Sequence, residues 1–232
     1  MYKVSNSAAK ESRMQKIQAK TLHQEVANQI RDMIRNGILV KGQKIDEKHL
    51  CESMGVSRTP VRESLRMLSS EGLIDLIPNR GAYISEPPIK DVKDMFEVMS
   101  VLEGTCARLA TKKMTQKDFD KIETLHKELE KHYSRQDHEA YLESNNAYHV
   151  LIQELSGNKV LNDVINGLRQ KILLYRHRQL YQPERFKQSI QEHRDLLEAF
   201  RKRDAALAER LMKRHLIKQC EALVSLYDRK EE

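Results

Sequence analysis

The 232-residue chain contains no tryptophan, and aromatic residues of every kind amount to only 5% of it. With 39% hydrophobic and 32% charged residues, the composition suits solvated helices and argues against a β-sandwich. Long apolar runs are also missing. None approaches the roughly 18 residues that a membrane span requires, and the N-terminus lacks the apolar core of a signal peptide. A soluble, cytoplasmic protein with no membrane partner is therefore expected. Cysteine is scarce: Cys51, Cys106 and Cys220 are odd in number, far apart and without C-x-x-C spacing. That excludes a zinc ribbon or a redox pair of the usual kind and predicts three reduced thiols in helices.

What the chain does have is charge and helical periodicity. The formal net charge is +7, which suits a polyanionic partner without demanding one. Residues 1–86 hold 14 Lys and Arg against 10 Asp and Glu, a net of +4 in little more than a third of the length. At this size two domains are expected. Residues 1–20 show no apolar period and read as a flexible basic arm. From Leu22 the spacing Leu22, Val26, Ile30, Ile34 predicts a helix that stops at Asn36-Gly37. Asp46 is placed to cap a short second helix that ends at Gly55. Ser57 caps a third, with Pro60 tolerated in its first turn. Beyond Gly72 the period becomes extended: "LIDLI", the turn "PNRG" and "AYIS" predict a small hairpin. Helix, helix, helix, hairpin is the order of a winged helix-turn-helix domain, assigned to residues 21–86.

Residues 87–88, the two prolines of "EPP", mark a linker. From Ile89 to about residue 228 the segments are helical almost without break. Helices are expected near 89–112, 115–135, 138–155, 158–180, 184–201 and 204–227, joined by short loops into an all-α antiparallel bundle.

The third helix, "GVSRTPVRESLRML", carries arginine at 58, 62 and 66 opposite Val61, Leu65 and Leu68. Arginine suits a helix inserted in the major groove, because its planar fork binds guanine or phosphate in a bidentate way. Ser57 and Thr59 add hydroxyls at a helix N-terminus that itself favours phosphate. An ordinary solvated face is the alternative from these residues alone, and for Arg66 it is the preferred one. Residues 22–84 as a whole resemble the DNA-binding domain of GntR-family transcription regulators. The resemblance implies DNA contacts by Arg58 and Arg62, supported by Ser57, Thr59 and Lys48, with Arg80 at the wing tip reaching the minor groove. Glu63 and Glu71 read as structural.

Of nine histidines, His126, His132 and His138 fall in charged surroundings and are expected to face solvent, and His23 and His49 to lie on the surface. Asn145 and His149 are four residues apart, hence on one helical face. His193 and His215 lie on the last two helices of a short-loop pair. Three imidazoles from three helices could ligate a divalent metal, zinc or nickel, although unrelated helical histidines produce such spacing too. Residues 89–227 resemble the FCD effector domain of the FadR-type GntR subgroup. That resemblance implies a metal held by Asn145, His149, His193 and His215. Asn145 stands where an aspartate is common, so the metal would keep its full positive charge and favour an anionic ligand. Met99 stands where the family commonly has arginine, which puts a standard carboxylate clamp in doubt. Arg169, Arg176 and Arg178 are candidate substitutes, each with a solvated face as the alternative. Glu103 reads as structural.

The resemblance implies a homodimeric regulator, in the commoner mode a repressor. It would bind a short palindromic operator in double-stranded DNA, at the nucleoid when bound, under control of a small organic acid or sugar acid. A regulator for which the ion itself is the signal and a metal-dependent hydrolase are the alternatives; no general base is evident beside the ligands, and no catalytic residue is assigned.

Overall fold

The computed structural model describes residues 21–176 and 182–228, with side chains for 21–172 and 182–226. The expected basic arm, Arg178 and the side chain of Arg176 lie outside the described parts.

The first three helices are α1 (Leu22–Arg35), α2 (Glu47–Met54) and α3 (Arg58–Ser70). Asp46 caps α2, its carboxylate accepting from the backbone N–H groups of Lys48 at 2.9 Å and His49 at 3.0 Å. Gly55 ends α2 at φ 65°, a left-handed conformation that glycine adopts without a Cβ clash. Strands β1 (Ile74–Ile77) and β2 (Gly81–Ile84) pair antiparallel, from Ile74 opposite Ile84 to Ile77 opposite Gly81. Val26, Ile30, Leu50, Val61, Leu65, Leu68 and Ile84 close into one core. Full burial of a leucine or valine contributes roughly 1.5–3 kcal/mol, so this apolar side fixes how α3 is presented. Glu71, just past α3, accepts from Nε of Arg31 on α1 at 3.0 Å and ties the end of α3 to α1.

A second core belongs to α4 (Ile89–Lys113), α5 (Gln116–Ser134), α6 (His138–Ser156), α7 (Lys159–Arg176), α8 (Pro183–Arg201) and α9 (Ala205–Asp228). Caps fall where turn chemistry placed them. Thr115 and Asp137 accept from backbone N–H groups at the starts of α5 and α6, and Pro183 occupies the first turn of α8. At Gly104 the backbones of α4 and α9 come so close that a Cβ would lie 2.6 Å from the side chain of Lys213 and 3.1 Å from the carbonyl oxygen of Glu209. Among the described residues no helix is long and apolar enough to cross a membrane.

One surface assignment is overturned. His126 is buried, its ring edge-on to Tyr148 with centroids 6.4 Å apart. Its charged neighbours in the linear sequence lie on other faces of α5, whereas His126 shares the inner stripe with Phe119, Ile122 and Leu129. His132 and His138 are half-buried, the latter against Phe186 at 4.4 Å. His23 is half-buried and His49 exposed.

Candidate nucleic-acid interface and metal centre

Ser57, Arg58 and Thr59 are all exposed at the start of α3. Ser57 occupies the N-cap position, yet its side chain makes no capping hydrogen bond. The first-turn N–H groups are therefore not taken up by the Ser57 hydroxyl, the arrangement that suits a phosphate. Arg62, one turn on, is exposed and donates from Nε to Glu47 of α2 at 2.9 Å. Lys48 is exposed on α2, 3.8 Å from Glu52. Arg80 sits at the tip of the hairpin beside Asn79, whose φ of 60° makes the turn, and its guanidinium lies 6.0 Å from the Tyr83 ring centroid. Together with Lys44 these cations line one cleft between α2, α3 and the hairpin, with Asp46 and Glu47 among them. Lys44 escaped the sequence reading because it lies in a turn; its backbone bridge to Tyr83 brings it to the wing. Arg66 is exposed farther along α3 and is absent from this cleft.

The histidine set converges. His149 of α6, His193 of α8 and His215 of α9 are each fully buried, and each offers a potential ligand atom within 4.8 Å of the others. Nδ1 of His149 donates to Glu103 at 2.7 Å, leaving Nε2 buried without a partner among the described residues. Nδ1 of His215 donates to Glu192 at 2.6 Å, and its Nε2 accepts from the Gln219 amide at 2.7 Å. Nε2 of His193 donates to Oδ1 of Asn145 at 2.7 Å, leaving Nδ1 buried without a partner among the described residues. These proton positions follow from the partners, since a carboxylate or an amide oxygen only accepts. Burial pushes the His149 ring down to about 4, His193 well below its usual range, and His215 down despite the Glu192 hydrogen bond. All three are neutral at neutral pH, the form that binds a cation. Asn145 is buried beside the rings, its oxygen already engaged with His193.

The orphaned lone pairs fit a divalent ion of the zinc or nickel type, and a carboxylate behind an imidazole is the usual outer support of such a site. Each carboxylate is itself balanced. Arg169 donates to Glu103 at 3.0 and 2.8 Å and to Asn146 at 3.1 Å. Arg185 donates to Glu192 at 2.8 Å, and Lys218 lies 3.3 Å from the same carboxylate. Burial alone would raise the Glu192 carboxyl; His215 and Arg185 outweigh it and hold it at about 2. Arg169 is thus buried and paired, not solvated, because α7 turns it inward onto Glu103. Met99 is fully buried in the apolar core one turn before Glu103.

Glu103 and Glu192 are the partners that sequence reasoning undervalued. Glu192 is next to His193 in sequence, but adjacent helical residues point about 100° apart, so it serves His215 on the neighbouring helix. With chelator present, the protein is expected to lose stability as pH falls from 6.5 toward 5. The unfolded histidines, with pKa about 6.5, take up protons there while the folded rings do not until about pH 4 for His149. Unfolding temperatures measured between pH 7 and 5, above the range of ordinary carboxylates, check this; a flat profile would mean that burial of these rings costs nothing.

Comparison with known proteins agrees with the two-part architecture. Residues 22–84 match the family described as bacterial regulatory proteins, gntR family, and residues 94–218, more than half the chain, match the FCD domain. The chain belongs to the GntR family, with an FCD domain. It is therefore a DNA-binding transcription regulator of the GntR/FCD type, and these families are regulators, not enzymes, which sets aside the hydrolase alternative. It is 32% identical over 206 residues to the HTH-type transcriptional regulator LutR of Bacillus subtilis, a match covering 79% of this chain and 93% of LutR. It is 24% identical over 195 residues to the HTH-type transcriptional repressor RspR of Escherichia coli, covering 84% and 86%. The E. coli McbR/YncC structure shares the fold with a TM-score of 0.78 at 23% identity, covering 90% of this chain and all of that one. As a GntR regulator the chain binds operator DNA, and its FCD domain is of the kind that takes small-molecule effectors.

Proposed function

We propose that this GntR regulator is a homodimeric repressor whose operator affinity is set by a small carboxylate bound at a divalent metal in the FCD domain. Residues 21–86 are the DNA reader and residues 89–228 the sensor and dimerisation unit. The convergence of the buried His149, His193 and His215, with Nε2 of His149 and Nδ1 of His193 lacking a hydrogen-bond partner among the described residues, is the observation that carries this reading. The metal would be held by these imidazoles, with Asn145 beside them, and when bound it supplies a positive charge that attracts an anion. The surrounding charges reinforce that preference: Glu103 and Glu192 are matched by Arg169 and Arg185, so they leave the charge of a divalent ion uncompensated. The repressor mode follows RspR, whose name carries it.

On DNA, Arg58 and Arg62 at the start of α3 are assigned the base contacts. Ser57, Thr59 and Lys48 hold phosphates, and Arg80 enters the minor groove. Arg62 must exchange Glu47 for DNA, an exposed pair of the kind worth at most about 1 kcal/mol. Arg58→Ala or Arg62→Ala should cost roughly 1–3 kcal/mol of operator binding and relax base preference at one position. Fluorescence anisotropy on operator and single-base variants checks this, and equal weakening on every sequence would make these arginines phosphate contacts. The whole reading is tested by anisotropy on a duplex selected from a random pool, with chelator, with added zinc or nickel, and with a panel of organic and sugar acids. Release of DNA by an acid only when metal is present is the expected result. Operator binding that follows free metal alone would make the ion the signal, and indifference to both would overturn control through this site.

A further inference from the structure

The segment that joins α1 to α2 lies antiparallel along the free edge of β2. The N–H of Gly42 donates to the carbonyl of Ile84 at 2.9 Å, that of Ile84 donates to Gln43 at 2.8 Å, and that of Ile45 donates to Ala82 at 2.9 Å. Side chains alternate across such a pairing. Ile45, Ala82 and Ile84 enter the core, whereas Lys44 and Tyr83, bridged opposite each other, share the outer face. The stem of Lys44 follows the wing, its Cε 3.6 Å from where a Cβ on Gly81 would stand. Backbone bonds on both sides thus fix where Lys44 emerges, and its side chain is exposed.

Two cations draw on the ring of Tyr83. Nζ of Lys44 lies 5.9 Å from the ring centroid and the Arg80 guanidinium 6.0 Å. An aromatic face attracts a cation through its quadrupole and leaves the full charge in place. Arg62 and Lys48, in the same cleft or on its rim, are held differently, by the carboxylates of Glu47 and Glu52. Among the described residues neither Lys44 nor Arg80 has an ion pair with a carboxylate. The acids nearby are engaged elsewhere: Asp75, opposite Tyr83 on β1, accepts from the Ser85 hydroxyl at 2.8 Å, and Asp46 caps α2. Two uncompensated charges beside one ring repel each other in the free protein, and a polyanion relieves that repulsion.

We propose that Lys44 is a DNA contact, taking a backbone phosphate on the rim of the minor groove that Arg80 enters, and that Tyr83 is the positioning residue that aims both cations. The choice of phosphate rests on the placement of Arg80 in the minor groove; the contact itself does not. Fluorescence anisotropy across a range of salt concentrations, on the selected operator duplex and on an unrelated one, tests the proposal. A phosphate contact releases counterions, so Lys44→Ala should flatten the slope of log affinity against log salt by about 0.9 for each subunit bound. It should weaken both duplexes by the same factor and leave base preference as it was. Arg80→Ala should instead alter the preference for A·T over G·C at a flanking pair. Tyr83→Leu should weaken both duplexes and flatten the slope, and Tyr83→Phe, which keeps the ring, should restore it. Tyr83→Ile, with a side chain suited to a strand, serves if the leucine variant fails to fold by circular dichroism. In a Lys44→Ala, Arg80→Ala background the Tyr83 substitution should have no further effect on DNA, whereas a ring needed only for the fold would still weaken binding. An unchanged slope in folded Lys44→Ala overturns the contact, and a changed base preference there overturns its assignment to phosphate. An additive loss from the Tyr83 substitution overturns the positioning role. Arg80→Ala with base preference intact would remove Arg80 from the minor groove and leave Lys44 standing.

Discussion

His193→Ala should lower the affinity of the protein for zinc or nickel by more than a hundredfold. Removal of an outer partner of a metal-bound histidine typically costs 10–100-fold, and His193 is proposed as a ligand itself. Its ring is one corner of a near-equilateral triangle, 4.8 Å by centroid from His215 and 5.6 Å from His149, with those two 5.2 Å apart. Without it two imidazoles remain, on α6 and α9, too few for the three-nitrogen set. The substitution also frees the Asn145 oxygen and leaves a cavity in a packed region, so His193→Gln, which conserves most of the volume, separates ligand loss from loss of packing. Competition titration against a chromophoric chelator reads the affinity, and circular dichroism confirms the fold. Unaltered metal affinity in a folded variant would reduce the three rings to polar filling of the core.

The second large effect is on stability. Glu103 is 1% exposed and holds both Nδ1 of His149 and the guanidinium of Arg169. Glu103→Ala would leave Arg169 buried without its counter-charge, a change that typically costs 3–5 kcal/mol. For a protein of this length that corresponds to a fall of roughly 10 °C in unfolding temperature. Glu103→Gln keeps the volume and one acceptor oxygen, enough for Arg169 or for His149 but not for both, since these donors use different oxygens of the carboxylate, and should cost less than the alanine. Thermal unfolding in chelator measures the structural part. The same variants, titrated with zinc, should also show the outer-partner loss of 10–100-fold, because His149 is no longer held in one tautomer and orientation. A fall in stability without a change in metal affinity would confine Glu103 to a structural role.

Much of this architecture is legible in residue order because local signals agree with one another. Asp46, Gly55, Thr115, Asp137 and Pro183 are capping or breaking residues whose action depends only on a few neighbours, and they delimit α2, α5, α6 and α8 where the periodicity does. The hairpin follows from the change of period after Gly72. The face occupied by His126 was hidden by its charged linear neighbours, which say nothing about the opposite side of a helix. The pairing of Glu103 with His149 spans 46 residues and that of Arg169 with Glu103 spans 66, and no periodicity encodes such distances. Arg185 and Glu192 are seven residues apart, and nothing in that spacing says that the pair also carries His215 from the next helix.

Gly104 adjoins Glu103 in the sequence, and at that crossing the stem of Lys213 and the carbonyl oxygen of Glu209 occupy the space that any side chain would need. The helix of Glu103 and the helix of His215 can consequently come this close only because position 104 has no Cβ. A glycine with no chemistry of its own thus acts as a gauge block, setting how closely α9 can approach α4 beside Glu103.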